Sequence, residues 1–94
     1  MPIIVAIPGA LRELAGGRSE VRLEGRAGSV KEALALLWAE YPAIRDRVVT
    51  ERGALRPHIN VFVDGENVRY SGGLDAPIGD GVEILLLPAI SGGA

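Results

Sequence analysis

Apolar residues open the chain as a run, Ile3-Ile4-Val5-Ala6-Ile7, that stops at Pro8-Gly9. Ile3, Val5 and Ile7 fall on one face of a strand, and Ile4 and Ala6 on the other. A strand apolar on both faces predicts a place inside a sheet, with a neighbour on each side. The stretch LRELAGGR turns at Gly16-Gly17. SEVRLEG then alternates, with Val21 and Leu23 on one face and Glu20, Arg22 and Glu24 on the other. The two segments predict an antiparallel hairpin with a long loop.

Next, the period changes from two to 3.6. Val30, Ala33, Leu34, Leu37, Trp38 and Tyr41 make one apolar helical stripe. Ser29 is placed to cap that helix, and Glu32, three residues on, completes a capping box. Pro42 ends it, because the residue before a proline avoids helical geometry. Residues 43–57 read as polar and irregular, with Ile44, Val48 and Leu55 pinning them to the body. HINVFVDGENVRY returns to alternation: Ile59, Val61 and Val63 on one face, Asn60 and Phe62 on the other. Asp64-Gly65 is a tight-turn signal and predicts a short strand around Val68 to Tyr70. SGGLDAPIGDG is a glycine-rich connection with Leu74 and Ile78 as plugs, and VEILLLP is the last strand.

The predicted order is strand, strand, helix, strand, short strand, strand. One helix has one face to bury, and one mixed sheet covers it. The expectation is an α+β, β-grasp (ubiquitin-like) fold of four or five strands on one main helix, as one domain over 1–94. The first and last strands, the most apolar, should lie side by side at its centre.

Composition narrows the chemistry. The chain has 94 residues, 48% hydrophobic and 23% charged, a formal net charge of −2 and no cysteine. Without cysteine there is no disulfide, thiolate metal site or thiol nucleophile. The charge argues against a nucleic-acid partner. No apolar run approaches the roughly 20 residues of a membrane span. The N-terminal stretch lacks the basic start and longer apolar core of a signal peptide. A cytoplasmic location and no membrane partner are expected.

The sequence holds no convincing active site of its own. His58 is the only histidine and starts a strand, where a structural or solvent-facing role fits better than a general base. The serines have no base at hand. DGEN, Asp64 to Asn67, lacks the closing glutamate of a calcium loop and reads as a hairpin turn. The carboxylates show no metal-like cluster, and neither glycine-rich stretch is a phosphate loop.

Two other features remain. If Val82, Ile84 and Leu86 face the helix, then Glu83, Leu85 and Leu87 face away from it. Ile4, Ala6 and Phe62 join Leu85 and Leu87 there as an apolar patch. Such a patch marks a partner site, unless residues 43–57 or the tail fold across it. The second feature is the ending, LPAISGGA. Pro88 stops the strand ladder, and a flexible tail is expected over 88–94. Gly92 and Gly93 carry no Cβ, so their backbone fits a slot too narrow for side chains. A carboxylate becomes an acyl donor once ATP converts it to an acyl-adenylate, and a sulfur donor then displaces AMP to leave a thiocarboxylate. That chemistry needs a slim terminus on a rigid handle.

The stretch INVFVDGENVRYSGGLDAPIGDGVEILLLPAISGG, Ile59 to Gly93, resembles the C-terminal half of the small ubiquitin-like sulfur carriers of the MoaD and ThiS type. The pattern is a strand with an asparagine, a turn, a leucine plug, an Asp-Gly turn, a final strand and a diglycine. NVRYSGGLDAPIGDG resembles the carriers that serve a cysteine synthase more than those that serve molybdopterin synthase. The resemblance implies a co-substrate rather than an enzyme, with no tightly bound cofactor and no metal. It makes Gly93 the thiocarboxylated residue and Gly92 its slim neighbour. Phe62, Leu85, Leu87, Ile4 and Pro88 become the partner-binding residues. The implied partners are an adenylating, E1-like enzyme that uses ATP, a sulfurtransferase, and an acceptor synthase for cysteine or molybdopterin. Active family members end on glycine, whereas this sequence closes on Ala94. A protease that removes Ala94, a precursor form, or divergence from sulfur chemistry each accommodate that departure. A ubiquitin-like protein modifier and a non-catalytic interaction module are the alternative functions.

Overall fold

The computed structural model describes residues 2–88. Five strands form one mixed sheet: β1 (Ile3–Ala6), β2 (Glu20–Leu23), β3 (Ile59–Val63), β4 (Glu66–Asn67) and β5 (Glu83–Pro88). Their spatial order is β2-β1-β5-β3-β4. β1 and β5 run parallel, with Val5 beside Ile84 and Ala6 beside Leu85. The β1–β2, β3–β5 and β3–β4 pairs are antiparallel. The first and last strands are therefore neighbours inside the sheet, as their two-sided apolar character predicts.

Helix α1 (Val30–Glu40) packs on one face of the sheet. Ser29 is extended, and its Oγ accepts a hydrogen bond from the Glu32 N–H at 3.2 Å. The return arm of the capping box differs from the standard form. Glu32 Oε1 accepts from the Gly28 N–H at 2.7 Å rather than from the Ser29 N–H. Residues 28–30 are laid against residues 76–78 instead: the Val30 N–H donates to the Ala76 carbonyl and the Ile78 N–H to the Gly28 carbonyl. The glycine-rich connection is thereby tied to the start of α1. Ala76 is buried within it, while Leu74 and Ile78 are half-buried plugs against the core.

The structure corrects three local expectations. Residues 43–57 are not irregular throughout, because α2 (Pro42–Val48) occupies the first part. Pro42 ends α1 and also starts α2, since its fixed φ suits the first helical position, where its missing N–H costs nothing. Ile44 and Val48, one helical turn apart, are fully buried rather than loosely pinned. The loop between β1 and β2 contains a 3₁₀ segment, Gly9–Ala15, which buries Leu11 and Ala15 and closes on Gly16 at φ 64°. The short strand is Glu66–Asn67, and Val68–Tyr70 is a 3₁₀ turn. The turn at Asp64-Gly65 has φ of 49° and 88°, both positive, as a two-residue hairpin turn with the sheet's own twist requires.

The core is aliphatic. Val5, Leu23, Val30, Leu37, Val61, Ile84 and Leu86 are at 0% exposure, and among the described residues no polar or charged side chain is buried with them. Pro88 belongs to β5, opposite Ile59, so the part of the expected tail at residue 88 is strand. The remainder, residues 89–94, lies outside the described residues.

Candidate functional site

The site expected from the sequence has two parts, an apolar sheet face and the residues after β5. The strands fix the first part by register. Phe62 pairs with Leu85 across β3 and β5, Leu85 with Ala6 across β5 and β1, and Ile4 with Glu83 one step away. Side chains at paired positions share a face. Ile4, Ala6, Phe62, Leu85 and Leu87 therefore lie together on the face opposite α1, and Asn60 sits beside Leu87. Leu87 is 42% exposed, and the other four are half-buried. Residues 43–57 do not cross this face. Their helix α2 packs against α1 and the 3₁₀ segment Gly9–Ala15 instead.

Pro88 does not join that group. It is opposite Ile59, a core residue, so its ring is on the α1 side of the sheet and half-buried. Its place is at the mouth of the tail rather than on the patch. Gly92, Gly93 and Ala94 lie outside the described residues. What the structure does describe is their anchor. β5 is the middle strand, held by β1 from Glu83 to Leu85 and by β3 from Ile84 to Pro88, so its first half is bonded along both edges and the chain reaches residue 88 paired with β3.

A polar border surrounds the patch. Glu20 and Arg22 stand on β2 beside Ala6 and Ile4, and Glu83 is exposed at the start of β5. On the other side, Asn67 Nδ2 donates to Asn60 Oδ1 at 3.2 Å, and Asn67 Oδ1 accepts from the Arg69 N–H at 2.9 Å. Arg69 is a residue the sequence reading missed. One guanidinium nitrogen, Nη2, donates to the Ile59 carbonyl at 2.8 Å and to the Pro57 carbonyl at 3.3 Å. β4 spans only two residues, so the outer edge of β3 runs on without a strand partner, and Arg69 satisfies the carbonyls there. No periodicity signals this; an arginine two residues past a short edge strand is the only trace in the sequence. Tyr70 follows it, 84% exposed.

Other candidates for chemistry are dispersed. His58 is exposed beside Pro57. Among the described residues, no three His, Asp or Glu side chains come together as a metal site. A groove of about 430 Å³ lined by Val63, Asp64, Glu66, Ile78 and Val82 lies at the Glu83 end of β5, away from Pro88. No described helix is long and apolar enough to cross a membrane.

The likeness to known proteins extends through both parts of this site. The family model described as "ThiS family" matches residues 5–93, which takes in the end of β1, every patch residue except Ile4, and both glycines. The sulfur carrier protein CysO of Mycobacterium tuberculosis is 36% identical over 99% of this chain and 100% of its own length. The small archaeal modifier protein 1 of Haloferax volcanii is 38% identical over 88% of this chain and 91% of its own. Among solved structures, the chain matched in the Amycolatopsis orientalis BexX/CysO complex superposes with a TM-score of 0.86 at 38% identity, covering 96% of this chain and 98% of that one. A sheet built in this order around the last strand, continued by a matched diglycine, places this chain in the ThiS family.

Proposed function

We propose that this protein is a sulfur carrier, a co-substrate whose Gly93 becomes the C-terminus when a protease hydrolyses the Gly93–Ala94 amide, and which then leaves its enzyme partners as a Gly93 thiocarboxylate. In the first step the Gly93 carboxylate attacks the α-phosphorus of ATP on an adenylating enzyme, and pyrophosphate leaves. In the second, a sulfur donor attacks the acyl carbon and AMP leaves, so one carboxylate oxygen has been replaced by sulfur. A synthase then consumes that sulfur, cysteine being the first candidate product and molybdopterin the second. The observation that carries this reading is the pairing of a central β5 anchor with Gly92-Gly93 a few residues beyond it. The full-length likeness to CysO supports the cysteine branch. The patch of Ile4, Phe62, Leu85 and Leu87 is the surface offered to the adenylating enzyme and the acceptor, and Gly92 lets the tail enter a narrow channel.

The test is the intact mass of a chain ending at Gly93 after incubation with a family adenylating enzyme, ATP and a sulfide source. One oxygen-to-sulfur exchange is expected. Failure to form an adenylate or a thiocarboxylate with any such enzyme ends the reading. The slot also makes a size prediction. A chain ending at Ala94 places a methyl in space shaped for hydrogen. By analogy with overpacked cores that costs a few kcal/mol, a rate loss of roughly a hundredfold. Gly93→Ala in the shorter chain should recreate the loss, read as ATP–pyrophosphate exchange. Equal rates in all three chains would show that the slot accepts a side chain.

A second reading has one specific observation behind it, the 38% identity to a small archaeal modifier protein. In that case Gly93 would join lysines of other proteins. A Gly-Gly remnant on lysines after trypsin-independent digestion, dependent on this chain, supports it. Thiocarboxylate without any such remnant removes it.

A further inference from the structure

The charges of this chain are sorted between the two ends of its sheet. Residues 42–58 carry four arginines and two acids, a net +2, whereas residues 64–83 carry one arginine and five acids, a net −4. The rest of the chain balances, with five cations and five acids. Topology converts this separation along the sequence into a separation in space. β3 begins at Ile59, opposite Pro88, and ends at Val63, opposite Ile84. The segment that feeds β3 is thus at the end where the chain leaves β5. Arg56 is held there, its N–H on the Val48 carbonyl and its own carbonyl accepting from the Ile59 N–H. Arg69, although it belongs to the acidic stretch, reaches the same end through the Pro57 and Ile59 carbonyls. The 3₁₀ segment after β1 lies at this end too, but its Arg12, with Nε on the Ile7 carbonyl at 3.1 Å, is offset by the adjacent exposed Glu13 and adds no net charge. The acids gather at the opposite end. Asp64 accepts from the Glu83 N–H at 2.9 Å, and Asp80 stands just before that strand.

Local structure accounts for only part of this. Arg45 and Arg47 fall in the last turn of α2, where the helix dipole favours cations. Arg52 lies beyond the helix, in the Thr50–Gly53 turn, and is exposed. The ion pairs among the described residues are Arg22–Glu24 and Arg45–Asp46, so Arg47 and Arg52 enter neither. Asp46 and Glu51 interrupt the cations, and the 42–58 segment has one aromatic-free, mixed surface rather than the continuous basic stripe that a nucleic acid requires.

We infer that the Pro88 end of the molecule is a positively charged docking face for the enzyme that accepts the tail, and that the entrance of that enzyme is rimmed with carboxylates. This rests on the tail chemistry proposed above. Gly93 is the fifth residue beyond Pro88, a reach of at most about 18 Å when fully extended. An enzyme holding Gly93 in a narrow channel must therefore bring its entrance close to Arg47, Arg52 and Arg56. A molecule with net charge −2 and a positive leading end is turned tail-first as it approaches an acidic rim. Such complementarity acts on encounter more than on the chemical step, and salt screens it.

The experiment compares three chains, all ending at Gly93: the parent, Arg47→Glu/Arg52→Glu, and Glu66→Lys/Asp80→Lys at the far end. Each is first shown to melt like the parent. Carrier-dependent ATP–pyrophosphate exchange on the adenylating enzyme is then measured at low and high salt. For the arginine pair, KM for the carrier should rise about tenfold at low salt with kcat unchanged, and the difference should shrink as salt is added. The far-end pair should leave KM unchanged or lower it. An arginine pair that matches an active parent overturns the docking face alone, as does a far-end pair with an equal rise in KM. A parent that supports no exchange overturns both the docking face and the carrier chemistry on which it rests.

Discussion

The two faces of the sheet are built from the same strands by alternate residues, yet they are finished differently. On the α1 side, Ile3, Val5, Ile59, Val61, Ile84 and Leu86 are all at 2% exposure or less. On the other side, Ile4, Ala6, Phe62 and Leu85 stop at half-burial and Leu87 at 42% exposure. Both sets are apolar, so hydrophobicity alone does not distinguish them. What separates them is whether a second layer exists. α1 and α2 complete the first face, whereas the second gains only lateral cover from neighbouring side chains. An apolar residue in the first set stabilises the fold through full removal from water, and one in the second set retains area that a partner can remove.

Substitutions to aspartate test this contrast most directly. Ile84→Asp places an unpaired charge at a fully buried position in the middle strand and should leave the chain unfolded under native conditions, as read by circular dichroism. Leu37→Ala removes buried area and leaves a cavity under the sheet, at a cost of about 2–5 kcal/mol in denaturant unfolding. Leu87→Asp, on the open face, should change stability by no more than about 1 kcal/mol. It should weaken binding to the adenylating enzyme by about 2 kcal/mol if Leu87 is a hot spot, measured by calorimetry. Phe62→Asp belongs with Leu87→Asp; if it unfolds the chain as fully as Ile84→Asp, the open face is core and the contrast fails. The smallest effects come from the periphery. Arg69→Ala frees the Ile59 and Pro57 carbonyls to water and should cost about 1 kcal/mol, with Ser29→Ala similar through loss of the helix cap.

Periodicity made most of this fold readable. The alternation in β1, β3 and β5 assigned each face, and Ser29 with Glu32 marked the start of α1. The misses share a cause: local signals serve two structures at once. Pro42 stops one helix and starts the next, and the i, i+4 pair Ile44 and Val48 was too short a pattern to outweigh the polar residues around it. Val68 to Tyr70 has strand-like composition, but Asn67 Oδ1 takes the Arg69 N–H and turns the chain into a 3₁₀ bend. Pro88, expected among the partner-binding residues, lies on the opposite face from Leu87 because the two-residue period of a strand alternates neighbours. Arg69 was not legible, because its role depends on how short β4 is. The charge separation was present in the sequence throughout. It acquires direction only when the antiparallel β3–β5 pair sets residues 42–58 at one end and residues 64–83 at the other.

The placement of β5 also governs when the protein can exist at all during its synthesis. β5 is the last strand made and the middle strand of five. Before it emerges, the sheet is two separate ribbons, β2-β1 and β3-β4, and two-stranded ribbons are marginal in water. The pairing of Ile4 with Glu83 closes nearly the full length of the chain, so it contributes nothing to early folding. A nascent chain halted before residue 83 therefore has no stable domain to hide behind and stays open to proteases. Folding itself then acts as a length check: any molecule that acquires the native sheet has already been translated through residue 88.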